Sequence, residues 1–323
     1  MPERSTALFA LTVAACCAVA AGAAHTQSSN RPIRLVLPYT AGSPNDVLAR
    51  MIAPPLSARL GQAVVVDNRP GGGTSIGVSA VMNADPDGTT LLFSNSPSHL
   101  IAPTGHAGFT YDPLKDFAPV ATVATSSNVI VIANSVPART VRDFVAYAKA
   151  NPGKLNFGFG QGTLPQLVGE MFKAAAGIDL VNVPYKGGAQ AVTDMIGGRV
   201  HMVSGTAATL LPLHRAGKLK IIGYTGAARS PGMRDIPTMR ESGYPDMVSI
   251  TYFGLFARAD VPTDVISRIN AEVNAVLAST GVRDAMAELD FEPKAISPQE
   301  FAAVLATEAP KWTAIARTVG FQM

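Results

Sequence analysis

From Arg31 onward, short β-branched or aliphatic runs alternate with longer stretches whose apolar residues recur every three or four positions: IRLVLPY, DVLARMIAPPLSARLG, AVVVDN, a glycine loop, SIGVSAVMNA and TTLLFS. The short runs predict strands and the periodic ones amphipathic helices, in βαβαβ order. The second half repeats the pattern with KLNFGFG, LPQLVGEMFKAAAG, DLVNVPY, AQAVTDMIGG, RVHMVSG, LLPLHRAGK and LKIIGYT. The expected fold class is therefore α/β, with two lobes, each a mostly parallel sheet flanked by helices. The tail predicts helices over VISRINAEVNAVLASTG, VRDAMAELD and PQEFAAVLATEAPKWTAIARTVG, with Val265, Ile269, Val273 and Leu277 forming an apolar stripe. NVIVIANS and TYFGLFAR are extended segments that can carry the chain between lobes. The expected boundaries are residues 31–128 plus 251–323 for lobe 1 and 129–250 for lobe 2, with crossover strands near 128–134 and 250–257 as the hinge.

Composition agrees with a large core: 47% of the 323 residues are hydrophobic and only 15% charged, which excludes a disordered chain. Lys+Arg 26 against Asp+Glu 23 leaves a net charge of +3, with no dense basic run, so nucleic acid is not an expected partner. Residues 1–23 have the layout of a cleaved secretory signal: Arg4 near the front, an apolar stretch from about Ala7 to Ala21, and small residues Ala21-Gly22-Ala23. A lipoprotein-like box, Val13-Ala14-Ala15-Cys16, fits less well, because hydrophobic sequence continues after Cys16. Both cysteines, Cys16 and Cys17, fall in this segment, so the mature chain has no thiol. The expected fate is export from the cytoplasm.

Two strand-to-loop-to-helix junctions stand out. In PYTAGSPNDVLAR, Tyr39, Ala41, Gly42, Ser43, Pro44 and Asn45 lead into a helix with Asp46 as N-cap or in its first turn. In NFGFGQGTLPQLVGE, Gly158, Gly160, Gln161, Gly162 and Thr163 precede a helix bearing Gln166. Neither loop holds Arg or Lys, so an anion there would be met by amides, hydroxyls and the positive end of a helix dipole. Such junctions at the C-terminal ends of parallel strands are where open α/β sheets bind ligands. Each can equally be an ordinary capped turn. SNSPSHLIAP is read as a polar loop whose Ser94, Asn95, Ser96, Ser98 and His99 are candidate donors.

Catalytic chemistry finds little support. Gly73-Thr74-Ser75-Ile76-Gly77 matches a nucleophile elbow in form, making a secreted serine hydrolase the alternative reading, but residues 68–73 separate Ser75 from the preceding strand. Nothing nominates His99, His106, His201 or His214 as its base. The histidines lack metal-ligand spacing, and neither a dinucleotide nor a P-loop motif is present, so no metal or cofactor is expected. A purely structural exported protein is a third class; it predicts no pocket.

The chain resembles the Bug family, the extracytoplasmic solute receptors of tripartite tricarboxylate transporters. The resemblance runs from about Pro32 to the C-terminus and is carried by LPYTAGSPNDVLAR, VVVDNRPGGGTSIG, ADPDGTTLL, LVGEMFKAAAGIDLVNVPYKGGAQAVTDMIGGRVHM, RAGKLKIIGYT, RSPGMRDIPTMRESGYP and YFGLFA. It implies a two-lobed, type II periplasmic binding protein: a monomer without catalytic activity that closes on a small carboxylated or amidated metabolite and presents it to membrane permease subunits. The family's ligand loops correspond to Tyr39 through Asp46 and to the glycine loop ending near Gln166. The resemblance also departs at specific positions. Ser43 stands where many relatives have a second Gly, followed by Pro44, which lacks an N–H. The second loop has Phe159 and Gln166 where relatives carry Ser and His, and the region of Gly205 and Thr206 lacks a common Asp. These changes lead us to expect a less polar, aromatic ligand.

Overall fold

The computed structural model describes residues 31–105 and 111–318. The proposed signal segment, Cys16, Cys17 and His106 lie outside them.

The first half runs β1 (Ile33–Leu37), α1 (Pro44–Leu60), β2 (Val64–Asn68), α2 (Ser75–Met82), β3 (Thr90–Asn95) and α3 (Ser96–Gly105), with β1 parallel to both β2 and β3. β4 (Phe117–Ile132) and α4 (Val141–Ala150) lead into a second unit of the same kind. Its elements are β5 (Asn156–Gly160), α5 (Leu164–Ala176), β6 (Val181–Tyr185), α6 (Gly188–Ile196), β7 (Met202–Thr206), α7 (Ala207–Arg215) and β8 (Lys220–Tyr224). Here β5 is parallel to both β6 and β7. The chain ends with β9 (Ile250–Arg258), α8 (Thr263–Ala278), α9 (Thr280–Glu288), β10 (Glu292–Pro293) and α10 (Pro298–Thr318).

β4 is shared by both halves. Residues 117–127 pair antiparallel with β9, and residues 128–132 pair antiparallel with β7 and β8. The resulting mixed sheet has the order β2-β1-β3-β9-β4-β7-β5-β6, with β8 and β10 also on β4. NVIVI is the end of a 16-residue strand that runs from one half into the other. Register shifts at Pro119/Ala121 and Thr122/Ala124 mark β-bulges, which bend and twist a long strand. At the transition, the Thr225 N–H donates to Asn128 O at 2.8 Å, the Asn128 N–H donates to Thr225 Oγ1 at 2.9 Å, and the Ser249 N–H donates to Thr225 O at 3.0 Å. Three chain segments are tied at one point.

β1 is buried on both faces, as a central parallel strand requires. Leu35 and Leu37 join a core with Leu48 and Ile52 of α1 and Val273 of α8, whereas Val36 joins a second core that continues through Ile101, Phe301 and Trp312 to the strands of the other half. The segment SNSPSHLIAP is not a polar loop: Ser94 and Asn95 end β3 and the rest belongs to α3. Asn95 Oδ1 accepts the Ser98 N–H at 3.0 Å, capping α3, and Ser96, Ser98 and His99 are all buried.

Candidate ligand-binding site

The βα junctions of both halves border one cavity of about 420 Å³. Around its wall lie the starts of α1 (Ser43, Pro44, Asn45), α2 (Gly73, Thr74), α5 (Thr163, Leu164), α6 (Gly187, Gly188) and α7 (Thr206), with Asn95 and Ser98 from the start of α3. A helix start carries roughly half a positive charge and unsatisfied N–H groups, so this wall favours an anion. Among the described residues lining it there is no Asp or Glu, and Lys186 is the one charged side chain.

The two loops named from sequence share one construction. Gly42 and Gly162 each take a left-handed φ, +78° and +73°, which a residue with a Cβ adopts only at a cost. The Gly42 N–H donates to Asp46 Oδ2 at 3.0 Å and the Gly162 N–H to Gln166 Oε1 at 2.9 Å. Ser43 caps α1 by accepting the Asp46 N–H, and the Thr163 hydroxyl donates to Gly160 O at 2.7 Å. Asp46 and Gln166 therefore staple their loops and do not line the cavity. Asp46 also takes the Arg50 guanidinium at 3.0 Å. Burial pulls the Asp46 carboxyl upward, but Arg50, the Gly42 N–H and Asn68 outweigh it and hold the group below the ordinary carboxylate range.

A chain of buried polar groups forms part of the wall. The Tyr39 hydroxyl pairs with Ser94 Oγ at 2.9 Å and accepts from Asn95 Nδ2 at 3.0 Å; Asn95 Nδ2 also reaches Asn45 Oδ1 at 3.4 Å. Burial raises the Tyr39 pKa, keeping the hydroxyl neutral and able to donate. Asn45 is 2% exposed, and its Nδ2 has no hydrogen-bond partner among the described residues. A buried amide donor left open costs free energy unless something accepts from it.

Of the residues nominated from sequence, Tyr39, Ser43, Pro44, Asn45, Asn95, Gln161, Thr163, Gly205 and Thr206 line the cavity. Ala41, Asp46, Ser96, His99, Gly162 and Gln166 do not. Ala41 is exposed. Ser96 Oγ accepts the Tyr252 N–H at 3.4 Å inside the fold. His99 packs with ring centroids 4.3 Å from Phe256 and 5.1 Å from Phe117, its Nε2 is 3.2 Å from Pro113 O, and burial depresses its pKa to about 4. Thr40, inside the first named loop, also lines the cavity; sequence reasoning missed Gly71, Thr74, Lys186, Gly187 and Gly188. Lys186-Gly187-Gly188 follows β6 with the same strand–glycine–helix punctuation as the other loops, and that signal could have found it. Thr74, a β-branched residue at φ +85°, is a strained position in this wall.

Ser75 follows the short 3₁₀ turn Gly72–Thr74. His201 Nδ1 accepts the Asn156 N–H and His214 Nδ1 the Ile221 N–H, so these imidazoles are engaged elsewhere, as is His99.

Paired βα units joined through a shared antiparallel strand, with a cavity at their helix starts, define the α/β fold of periplasmic solute-binding proteins. Residues 48–321 match the model of the tripartite tricarboxylate transporter family receptors, TctC, and the chain belongs to that family. It is 31% identical over 295 residues to protein BugT of Bordetella pertussis, covering 91% of this chain and 90% of the relative. R. palustris Rpa4515, solved with adipate, superposes with a TM-score of 0.87 at 32% identity, covering 92% of this chain and 99% of that one. MatC (Rpa3494) from Rhodopseudomonas palustris, solved with bound malate, gives a TM-score of 0.82 at 26% identity over 88% and 99%. No helix among the described residues is long and apolar enough to cross a membrane.

Proposed function

We propose that this chain is a monomeric receptor, exported to the periplasm after signal cleavage, that captures a small carboxylate and presents it to the permease subunits of a tripartite tricarboxylate-type transporter, with no chemistry of its own. Residues 31–128 plus 251–323 and residues 129–250 act as the closing lobes, hinged near 128–134 and 250–257. Differential affinity of the ligand for the closed over the open state is the signal the permease reads. The observation that carries the reading is a cavity walled by helix starts and free of Asp and Glu among its described lining residues, with the unpartnered Asn45 amide buried in that wall. The adipate and malate bound to the two similar receptors are acids of the size such a wall can hold.

A melting screen of the purified protein against carboxylic acids tests it. An acid at 100 times its Kd adds about 2.7 kcal/mol of stability, the matching neutral amide does much less, and Asn45→Ala weakens the acid at least ~10-fold, the loss of about one charge-assisted hydrogen bond. Ser75→Ala leaves binding intact. A screen in which no acid raises Tm, or ester turnover that Ser75→Ala abolishes, overturns the reading.

A further inference from the structure

We propose that the cavity has an apolar limb for the body of the ligand, so that the preferred ligand is a monocarboxylate with an alkyl or aryl body rather than a compact diacid. The inference rests on the receptor reading above and concerns the same cavity.

Glycines on the strands set how closely the helices flanking the limb approach the sheet. Gly158 and Gly160 alternate onto one face of β5, and Gly205 lies on β7. A Cβ on Gly158 would stand 3.2 Å from Ala191 Cβ, one on Gly160 would stand 2.9 Å from the Gly188 backbone nitrogen, and one on Gly205 would stand 2.7 Å from Leu210 Cδ1. The glycines let α6 and α7 lie directly on the strands. From the helix starts the cavity continues between these helices along Val192, Ile196, Leu210 and Leu213, over Val203. From Gly188 to Ile196 this spans roughly 12 Å at the helical rise.

Nothing in the limb suits a second carboxylate. The Thr193 hydroxyl donates to Ala189 O at 3.0 Å and the Thr209 hydroxyl to Thr206 O at 3.1 Å, so both spend their protons on their own helices. Lys186 precedes α6, at the end where the helix starts already gather. Ile196, 47% exposed, lines the far end of the limb, so a substitution there changes the lining without opening the core.

The test is calorimetry on the full mature chain with butanoate, hexanoate, octanoate, 3-phenylpropanoate, malate and adipate. Affinity is expected to rise roughly fourfold per buried methylene from butanoate to octanoate, with octanoate and 3-phenylpropanoate at least tenfold tighter than malate or adipate. Ile196→Glu, and Ile196→Thr as a milder variant, should weaken octanoate about tenfold and leave butanoate within twofold. A flat series, or malate and adipate binding more tightly with both Ile196 variants silent, overturns the apolar limb while the receptor reading stands. If no acid of either kind binds, both fall.

Discussion

Gln166 accepts the Gly162 N–H at 2.9 Å, repeating in the second half the bond that Asp46 makes with the Gly42 N–H at 3.0 Å in the first. Each acceptor lies four residues after a left-handed glycine and in the first turn of a helix whose start borders the cavity. The backbone device is the same, but one half uses a carboxylate and the other a neutral amide.

Removing the amide tests the staple. Gln166→Ala leaves the buried Gly162 N–H without an acceptor, which costs about 1–3 kcal/mol, whereas Gln166→Glu keeps the acceptor. Urea denaturation should show a clear loss for Ala and a smaller one for Glu. Ala and Glu variants of equal stability would mean that the bond contributes nothing.

Asp46→Asn is expected to cost about 1 kcal/mol at neutral pH, through the loss of a carboxylate at a helix N-terminus. The sign of its pH dependence follows from the depressed pKa. The folded carboxyl holds its proton less tightly than the unfolded one, near 3.8, so its stabilisation is present above that value and lost as pH falls through the lower folded pKa. Denaturation midpoints of wild type and variant should differ most above pH 4 and converge below it. A gap that stays open at pH 2 would contradict this.

The βα order of both halves was legible because apolar periodicity and glycine punctuation are local signals, and so were the two stapled loops. The roles within the loops were not. Asp46 and Gln166 look like ligand donors in the chain order, and only the backbone turn at Gly42 and Gly162 directs them back onto their own loops. SNSPS looks like a solvated loop because its polarity is high, yet Asn95 uses it to start a buried helix. Lys186 follows β6 a short way after the Gln166 loop, and the parallel pairing of β5 with β6 sets the ends of these two strands side by side, which the order of residues alone does not show.

Gly160→Ala separates close packing from turn geometry, since Gly160 is not among the positive-φ glycines. The added methyl meets the Gly188 backbone nitrogen at 2.9 Å and Gly187 Cα at 3.3 Å. Backbone cannot rotate away as a side chain can, so α6 must shift from β5, at about 1–3 kcal/mol for an overpacked site. Ligand affinity should fall along with Tm, because the α6 start forms part of the cavity wall. A variant with wild-type Tm and affinity would show that the helix does not rest on the strand there.

His99 ties stability to mild acid. Burial among Tyr111, Phe117 and Phe256 holds its pKa at about 4, against an unfolded value of 6.5. Between those values the unfolded chain binds a proton that the folded chain refuses, so stability falls as pH drops from about 6.5 towards 4, by up to about 3 kcal/mol over the full window. Above pH 7 both states are neutral at this site and the effect vanishes. His99→Phe removes the titration but also removes the Nε2–H donor to Pro113 O, which costs about 1 kcal/mol at any pH. The two effects have opposite signs, so the stability curves should cross. Near pH 8 the Phe variant should be the weaker protein, and near pH 4.5 the stronger one. Urea titrations at pH 8, 6 and 4.5 read this directly, and a difference that keeps one sign and one size across the three would show that the imidazole is not the acid-sensitive element of the fold.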